Sequence, residues 1–327
     1  MDRRQFVACG AGVIAVASTG CVGSRARLRG MRLRAAPPPL PLDAAGFHAA
    51  RRFADTSFGR IAYVERGTGK AALFLHGYPL NGFQWRGALD RLSAHRRCIA
   101  ADFMGAGYSE IPEGQSVAPG AQAAMLVELL DKLSIDKVDI IGNDSGGAIA
   151  QLFVTRYPER VRTLLLTNCD AHDDSPPPSF VPLIAAARAG TLADGIVRQL
   201  TNKSLARSSK GIGGQAYTYP DHPTDEAIDC YFTPLVSSPL RRTQFHAFAI
   251  ALERNPLEGI EPLLRRCAAP TRIVWGTGDT VFSLASADWL DRAFGNSRGV
   301  RHVDGAKLFF PEEMPGVIAE EAMLLWG

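Results

Sequence analysis

From about residue 60 onward, short apolar runs alternate with stretches of helical periodicity. Ile61-Ala62-Tyr63-Val64 before Gly67-Thr68-Gly69 predicts a strand and a turn, and Ala71 to Leu75 predicts a strand apolar on both faces. Runs of the same buried type recur at Cys98 to Ala101, Val138 to Ile141, Val161 to Leu166 and Arg272 to Trp275. Between them, Ala121 to Leu133 and Ala148 to Tyr157 space their apolar residues by threes and fours, as helices packed on one side do. Strand alternating with helix predicts an α/β chain with a mostly parallel, doubly wound sheet.

The alternation breaks after Asn168, where Asp173-Asp174-Ser175-Pro176-Pro177-Pro178 opens a mixed helical and loop region reaching about Pro262. Its length suits a helical lid inserted into the sheet. The sheet resumes at Arg272, gains a last strand near Gly299 to Val303, and closes with a helix from Pro315 to Trp326; no internal repeat is present. The expected organisation is a core of residues 48–170 and 263–327, with 171–262 as the lid.

The first 47 residues follow another pattern. Arg3-Arg4 precede an apolar run from Val7 to Gly20, which reads as a twin-arginine signal peptide over residues 1–21 and implies export to the periplasm. Ala15-Val16-Ala17 offers a cleavage site, and Thr19-Gly20-Cys21 offers the alternative of lipidation at Cys21, so membrane association is expected only through the leader or that lipid. Residues 22–47, with five arginines and a proline run, read as a basic linker.

Charge and cysteine usage narrow the chemistry. The net charge of the 327-residue chain is +3, and the first 34 residues alone carry +6, so the remainder carries −3 and has no basic face for nucleic acid. Cys9 and Cys21 belong to the leader; Cys98, Cys169, Cys230 and Cys267 are widely spaced, form no metal-type pair and read as buried thiols. No cofactor or metal is implied, and the expected partner is a small-molecule substrate.

The main chemical signal is Val138-Asp139-Ile140-Ile141-Gly142-Asn143-Asp144-Ser145-Gly146-Gly147. A buried strand runs through a tight turn into a helix, with glycines two before and two after Asp144, as a nucleophile elbow requires. The helix N-terminus beneath favours a negative charge there. A frame centred on Ser145 needs Asn143 to act as the small residue, and a glycine-rich turn without chemistry is the plainer alternative; a dinucleotide turn does not fit, because G-x-G-x-x-G is absent.

Leu73-Phe74-Leu75-His76-Gly77-Tyr78-Pro79, Trp85-Arg86, Asp102-Phe103-Met104-Gly105-Ala106-Gly107-Tyr108-Ser109 and the elbow together resemble the α/β-hydrolase superfamily over residues 50–327. Within it the chain is most similar to the branch of haloalkane dehalogenases and epoxide hydrolases. The resemblance implies that Asp144 attacks an sp³ carbon to give an ester that water then hydrolyses. It implies that the backbone N–H groups of Tyr78 and Ser145 form the oxyanion hole and that His76 is structural. It places the triad acid at Asp279, with Asp170 as a rival after the preceding strand.

The resemblance fails where a Gly-His-Phe sequence would place the general base. Gly305-Ala306-Lys307-Leu308-Phe309 puts Leu308 in the histidine's position. His302 is six residues upstream, Lys307 could act as a base only if burial lowered its pKa, and His172 and His246 are further candidates. Ser145 and Tyr78 stand where dehalogenases carry the halide-holding tryptophan and asparagine. Tyr217, Tyr219 and Tyr231 lie in the lid, where epoxide hydrolases carry proton-donating tyrosines. The reading is therefore a hydrolase acting through Asp144; the alternatives are a periplasmic ligand-binding homologue with impaired catalysis and an esterase using Ser145.

Overall fold

The computed structural model describes residues 42–327. The leader and most of the linker, including Cys9 and Cys21, lie outside the described residues. Eight strands form one sheet: β1 (Arg51–Thr56), β2 (Gly59–Arg66), β3 (Ala71–Leu75), β4 (Arg97–Ala101), β5 (Val138–Asp144), β6 (Val161–Cys169), β7 (Thr271–Gly276) and β8 (Ser297–Val303). Their order is β1-β2-β4-β3-β5-β6-β7-β8. All pairings from β4 to β8 are parallel, while β1 pairs with β2 and β2 with β4 antiparallel. Every residue of β3 and β5 is buried, which is why those sequences read as continuous apolar runs rather than alternating ones.

Two features correct the sequence reading. β1 was not expected, because Ala54 alone among its six residues is buried and an edge strand needs little apolar sequence. The basic linker does not extend to residue 47: Ala44–Ala49 is a helix capped by the Asp43 carboxylate, and Phe47 packs edge-on against Phe83 at 5.3 Å. That one apolar anchor ties the start of the described chain to the core.

Helices Arg86–Leu92, Pro119–Lys132, Ser145–Arg156, Leu284–Ala293 and Pro315–Trp326 flank the sheet. The segment between β6 and β7 carries the lid helices, from Val181–Arg188 to Pro239–Ala251, followed by the short helix Glu261–Arg265. This lid is fastened to the loop after β8. Phe309 N–H donates to the Ala216 carbonyl at 2.9 Å, and Glu313 accepts from the N–H groups of Thr218 at 3.0 Å and Tyr219 at 2.8 Å. Behind it, the buried Glu312 carboxylate accepts from Arg86 at 2.7 Å and from the Tyr217 hydroxyl at 2.5 Å. Because the pair is buried, loss of either partner would leave an uncompensated charge inside the protein.

Candidate functional site

The end of β5 places Asp144 at φ 55° and ψ −132°, a strained backbone for any residue but glycine. Ser145 already begins the helix, so the elbow turns on Asp144 and not on Ser145. Its neighbours must be glycine for steric reasons. A Cβ on Gly146 would lie 2.4 Å from the Leu75 carbonyl oxygen, and one on Gly77 would lie 2.7 Å from the Asp144 Cβ. A Cβ on Gly142 would likewise lie 2.9 Å from the Gly146 carbonyl oxygen.

One oxygen of Asp144 is fixed by the backbone. Oδ1 accepts from Tyr78 N–H at 2.9 Å and from Ser145 N–H at 2.5 Å. These are the two amides expected to form the oxyanion hole, and they leave Oδ2 as the oxygen available to a substrate. Burial pushes the Asp144 carboxyl up to about 6, against the pull of those two amides and with a further push from the Asp279 charge.

Asp144 opens onto a cavity of about 430 Å³ whose lining is mainly apolar, including Phe180, Ile196, Phe232, Phe245 and Leu308. No histidine is among the lining residues. Leu308, buried and lining the cavity, holds the place where the resemblance expects one.

The remaining sequence candidates fall into two groups. Asp170 and Asp279 come within electrostatic reach of Asp144. Asp170 follows Cys169, the β6 partner of Asp144 in the parallel ladder, and its Oδ1 accepts from the Ser175 hydroxyl at 2.9 Å. Burial, reinforced by the Asp144 charge, raises it to about 7. Asp279 is held by Asn168 Nδ2 at 2.8 Å and by Val281 N–H at 2.9 Å, and burial raises it as well. Of these three carboxyls only Asp144 lines the cavity; Asp170 and Asp279 act on it electrostatically from behind.

The second group points elsewhere. Lys307 is turned to the lid, donating from Nζ to the Gly214 carbonyl at 2.8 Å, and does not line the cavity. His302 is exposed on β8. His172 lies tilted against Trp289 at 4.9 Å, and His246 Nε2 accepts from Ala193 N–H at 3.0 Å within the lid. His76 is buried with Nδ1 against the Gly77 carbonyl at 3.0 Å and Nε2 accepting from Phe103 N–H at 3.0 Å, which makes it a neutral brace; burial lowers its pKa. The lid tyrosines fail as cavity donors: Tyr217 bonds Glu312, Tyr231 accepts from Arg86 at 3.4 Å, and Tyr219 is 60% exposed. Once the lid is clasped to Arg86 and Glu312, the hydroxyls of Tyr217 and Tyr231 face that clasp.

Sequence reasoning treated Asn143 only as the small residue of a rival frame. The structure makes it the hub of the site. Its Nδ2 donates to the carbonyls of Leu308 at 3.0 Å and Asn168 at 3.1 Å, and its Oδ1 accepts from Gln84 at 2.6 Å, which in turn accepts from Gly77 N–H at 2.9 Å. One amide thus fixes the elbow, the Tyr78 loop and the Leu308 loop together. A buried amide beside Asp144 at the end of a fully buried strand was the signal.

Comparison with known proteins bears on this geometry. The family described as alpha/beta hydrolase fold matches residues 71–313. The chain is 37% identical to haloalkane dehalogenase 2 of Mycobacterium bovis over 117 residues, 36% of this chain and 41% of that protein. It is 27% identical to cis-3-alkyl-4-alkyloxetan-2-one decarboxylase of Shewanella oneidensis over 247 residues, 71% of this chain and 74% of that one. Among solved structures, the epoxide hydrolase CorEH aligns with a TM-score of 0.68 at 22% identity, covering 84% of this chain and 98% of that chain, a likeness of fold.

Proposed function

The chain belongs to the alpha/beta hydrolase fold family, and from that premise we propose that it hydrolyses small apolar electrophiles by attack of the Asp144 carboxylate on an sp³ carbon. The observation that carries this is the fixing of Asp144 Oδ1 by the Tyr78 and Ser145 amides at the floor of an apolar cavity. Attack through Oδ2 makes an ester whose carbonyl oxygen already sits against both donors. Those donors then stabilise the oxyanion formed when water adds to it. Ser145 is a poorer nucleophile in this setting, since it does not line the cavity and no histidine bonds its hydroxyl. The similarity to a haloalkane dehalogenase supports the reaction type, and Arg3-Arg4 before the apolar run from Val7 to Gly20 supports a periplasmic site of action. Turnover of a panel of haloalkanes and epoxides by the full chain, with loss on Asp144→Ala, tests the reading; undiminished turnover in that variant overturns it.

Leu308 carries a second reading. With a leucine in the histidine's place, ester formation is retained while water activation is weakened, so the protein captures a reactive ligand once and releases it slowly. A persistent stoichiometric adduct without product distinguishes this outcome from turnover.

A further inference from the structure

The cavity over Asp144 changes character with depth. Buried Ile196, Phe232, Phe245 and Leu308 make its inner part apolar around the carboxylate. Exposed Ser179, Gln215 and Thr280 make its outer part polar, and the exposed Lys210 joins them there. Asp144 and Lys210 are the two charged residues of the lining, so a buried anion and an exposed cation bracket an apolar passage.

Lys210 is free to meet a ligand. Arg188, Lys203, Arg207 and Arg242 of the lid are paired with Glu253, Asp229, Asp225 and Asp194 respectively. Lys210 has no ion pair among the described residues; it stands on the loop between the helices Lys203–Arg207 and Ile212–Ala216. The backbone of that loop is held in place. Lys210 N–H donates to the Ser208 hydroxyl at 3.3 Å and Gly211 N–H to the Ser208 carbonyl at 2.9 Å. Gly214 is packed so closely that a Cβ would lie 2.4 Å from the Ser208 carbonyl oxygen, and its own carbonyl accepts from Lys307 Nζ at 2.8 Å. Lys307, unsuited as a base, thus anchors the loop that presents Lys210. A flexible four-carbon stem on a fixed Cα lets the Lys210 ammonium reach across the cavity mouth.

Resting on the Asp144 reading for the reactive end, we propose that the substrate is an amphiphile, an electrophilic sp³ carbon on an apolar chain whose far end carries a carboxylate, and that Lys210 selects this carboxylate at the cavity mouth. The argument is one of placement. At the inner end a substrate carboxylate would lose its hydration beside the like charge of Asp144, and the two amides there are already taken by Oδ1. At the outer end it keeps water on one side and meets an unpaired ammonium. Only that orientation satisfies both ends, and it delivers the apolar electrophilic carbon to Oδ2. A cationic head group would be repelled by Lys210, and a neutral one would gain nothing from it. Because the pair forms at an exposed site, it is screened, and the preference it gives is modest and weakens with salt.

The test uses the full chain, Lys210→Met and Asp144→Ala with 6-iodohexanoate, 1-iodohexane and 6-iodohexyltrimethylammonium, probes that differ in the charge of the far end. Initial rates of ester formation at subsaturating probe are read by intact-protein mass spectrometry. Octanoate, which has no leaving group, is titrated by calorimetry to read the same recognition without chemistry. The wild type is expected to be alkylated fastest by the carboxylate probe and slowest by the ammonium probe. In Lys210→Met the ratio of carboxylate to neutral alkylation should fall about fivefold, octanoate should bind about fivefold more weakly, and alkylation by 1-iodohexane should not change. Lys210 is exposed, so the substitution should leave Tm unaltered. A carboxylate-to-neutral ratio or an octanoate affinity that Lys210→Met leaves unchanged overturns the role of Lys210, while Asp144-dependent ester formation survives that result. Octanoate binding that depends on Lys210, with no Asp144-dependent ester from any probe, overturns the Asp144 reading and leaves the anion recognition standing.

Discussion

The amide of Tyr78 donates to Oδ1 of Asp144 at 2.9 Å, joining two loops 66 residues apart in sequence. This bond fixes one oxygen of the carboxylate at the cavity that both residues line, and in the proposed mechanism it is half of the oxyanion hole. The same contact explains why Gly77 has no side chain, since a Cβ there would collide with Asp144 at 2.7 Å.

Leu308→His returns an imidazole to a cavity that lacks one. A haloalkane adduct that persists in the wild type is expected to clear about 100-fold faster in this variant. Time-resolved intact mass spectrometry checks it, and an adduct equally persistent in both proteins would show that Leu308 does not limit hydrolysis.

The Asp144 carboxyl is raised from 3.8 to about 6, a gap corresponding to roughly 3 kcal/mol. Between these values the folded state keeps a proton that the unfolded state has lost, so this group's contribution falls as pH rises from about 4 through about 6. Asp144→Asn is therefore expected to raise Tm at pH 8, by an amount corresponding to up to roughly 3 kcal/mol, and to change it little at pH 4. Ester formation, which needs the carboxylate, should rise with pH through about 6. Thermal melts at the two pH values and a single-turnover pH profile measure both.

Glu312 tests the attachment of the lid. Glu312→Gln leaves Arg86 without its buried counter-charge, at a cost of roughly 3 kcal/mol, and weakens the bond from the Tyr217 hydroxyl. Tm is expected to drop by several degrees, and protease cleavage to appear first between residues 212 and 222. A melt and cleavage pattern matching the wild type would show that the clasp contributes nothing.

Much of the core was legible in sequence because β3, β5 and β6 are buried on both faces and advertise themselves as apolar runs. Asp144 was legible because its elbow cannot form without the flanking glycines, and Leu308 because the surrounding Gly305 to Pro315 segment keeps its spacing. Side-chain direction was not. Nothing local says that Lys307 turns to Gly214, or that Tyr217 and Tyr231 serve the Glu312 clasp rather than the cavity, because both depend on where a helix 70 or more residues away comes to rest. The Ala44–Ala49 helix was hidden for a similar reason: six residues with one apolar anchor form a helix only once Phe83 is there to receive Phe47.

The central claim is that Asp144 forms a covalent ester, and the most direct measurement is peptide mapping by tandem mass spectrometry after the full chain has reacted with 1-iodobutane. The account predicts a butyl ester on Asp144 in the wild type and no alkylation of that peptide in Asp144→Ala. A modification mapped to Ser145, or an adduct formed equally in the Asp144→Ala variant, would contradict it.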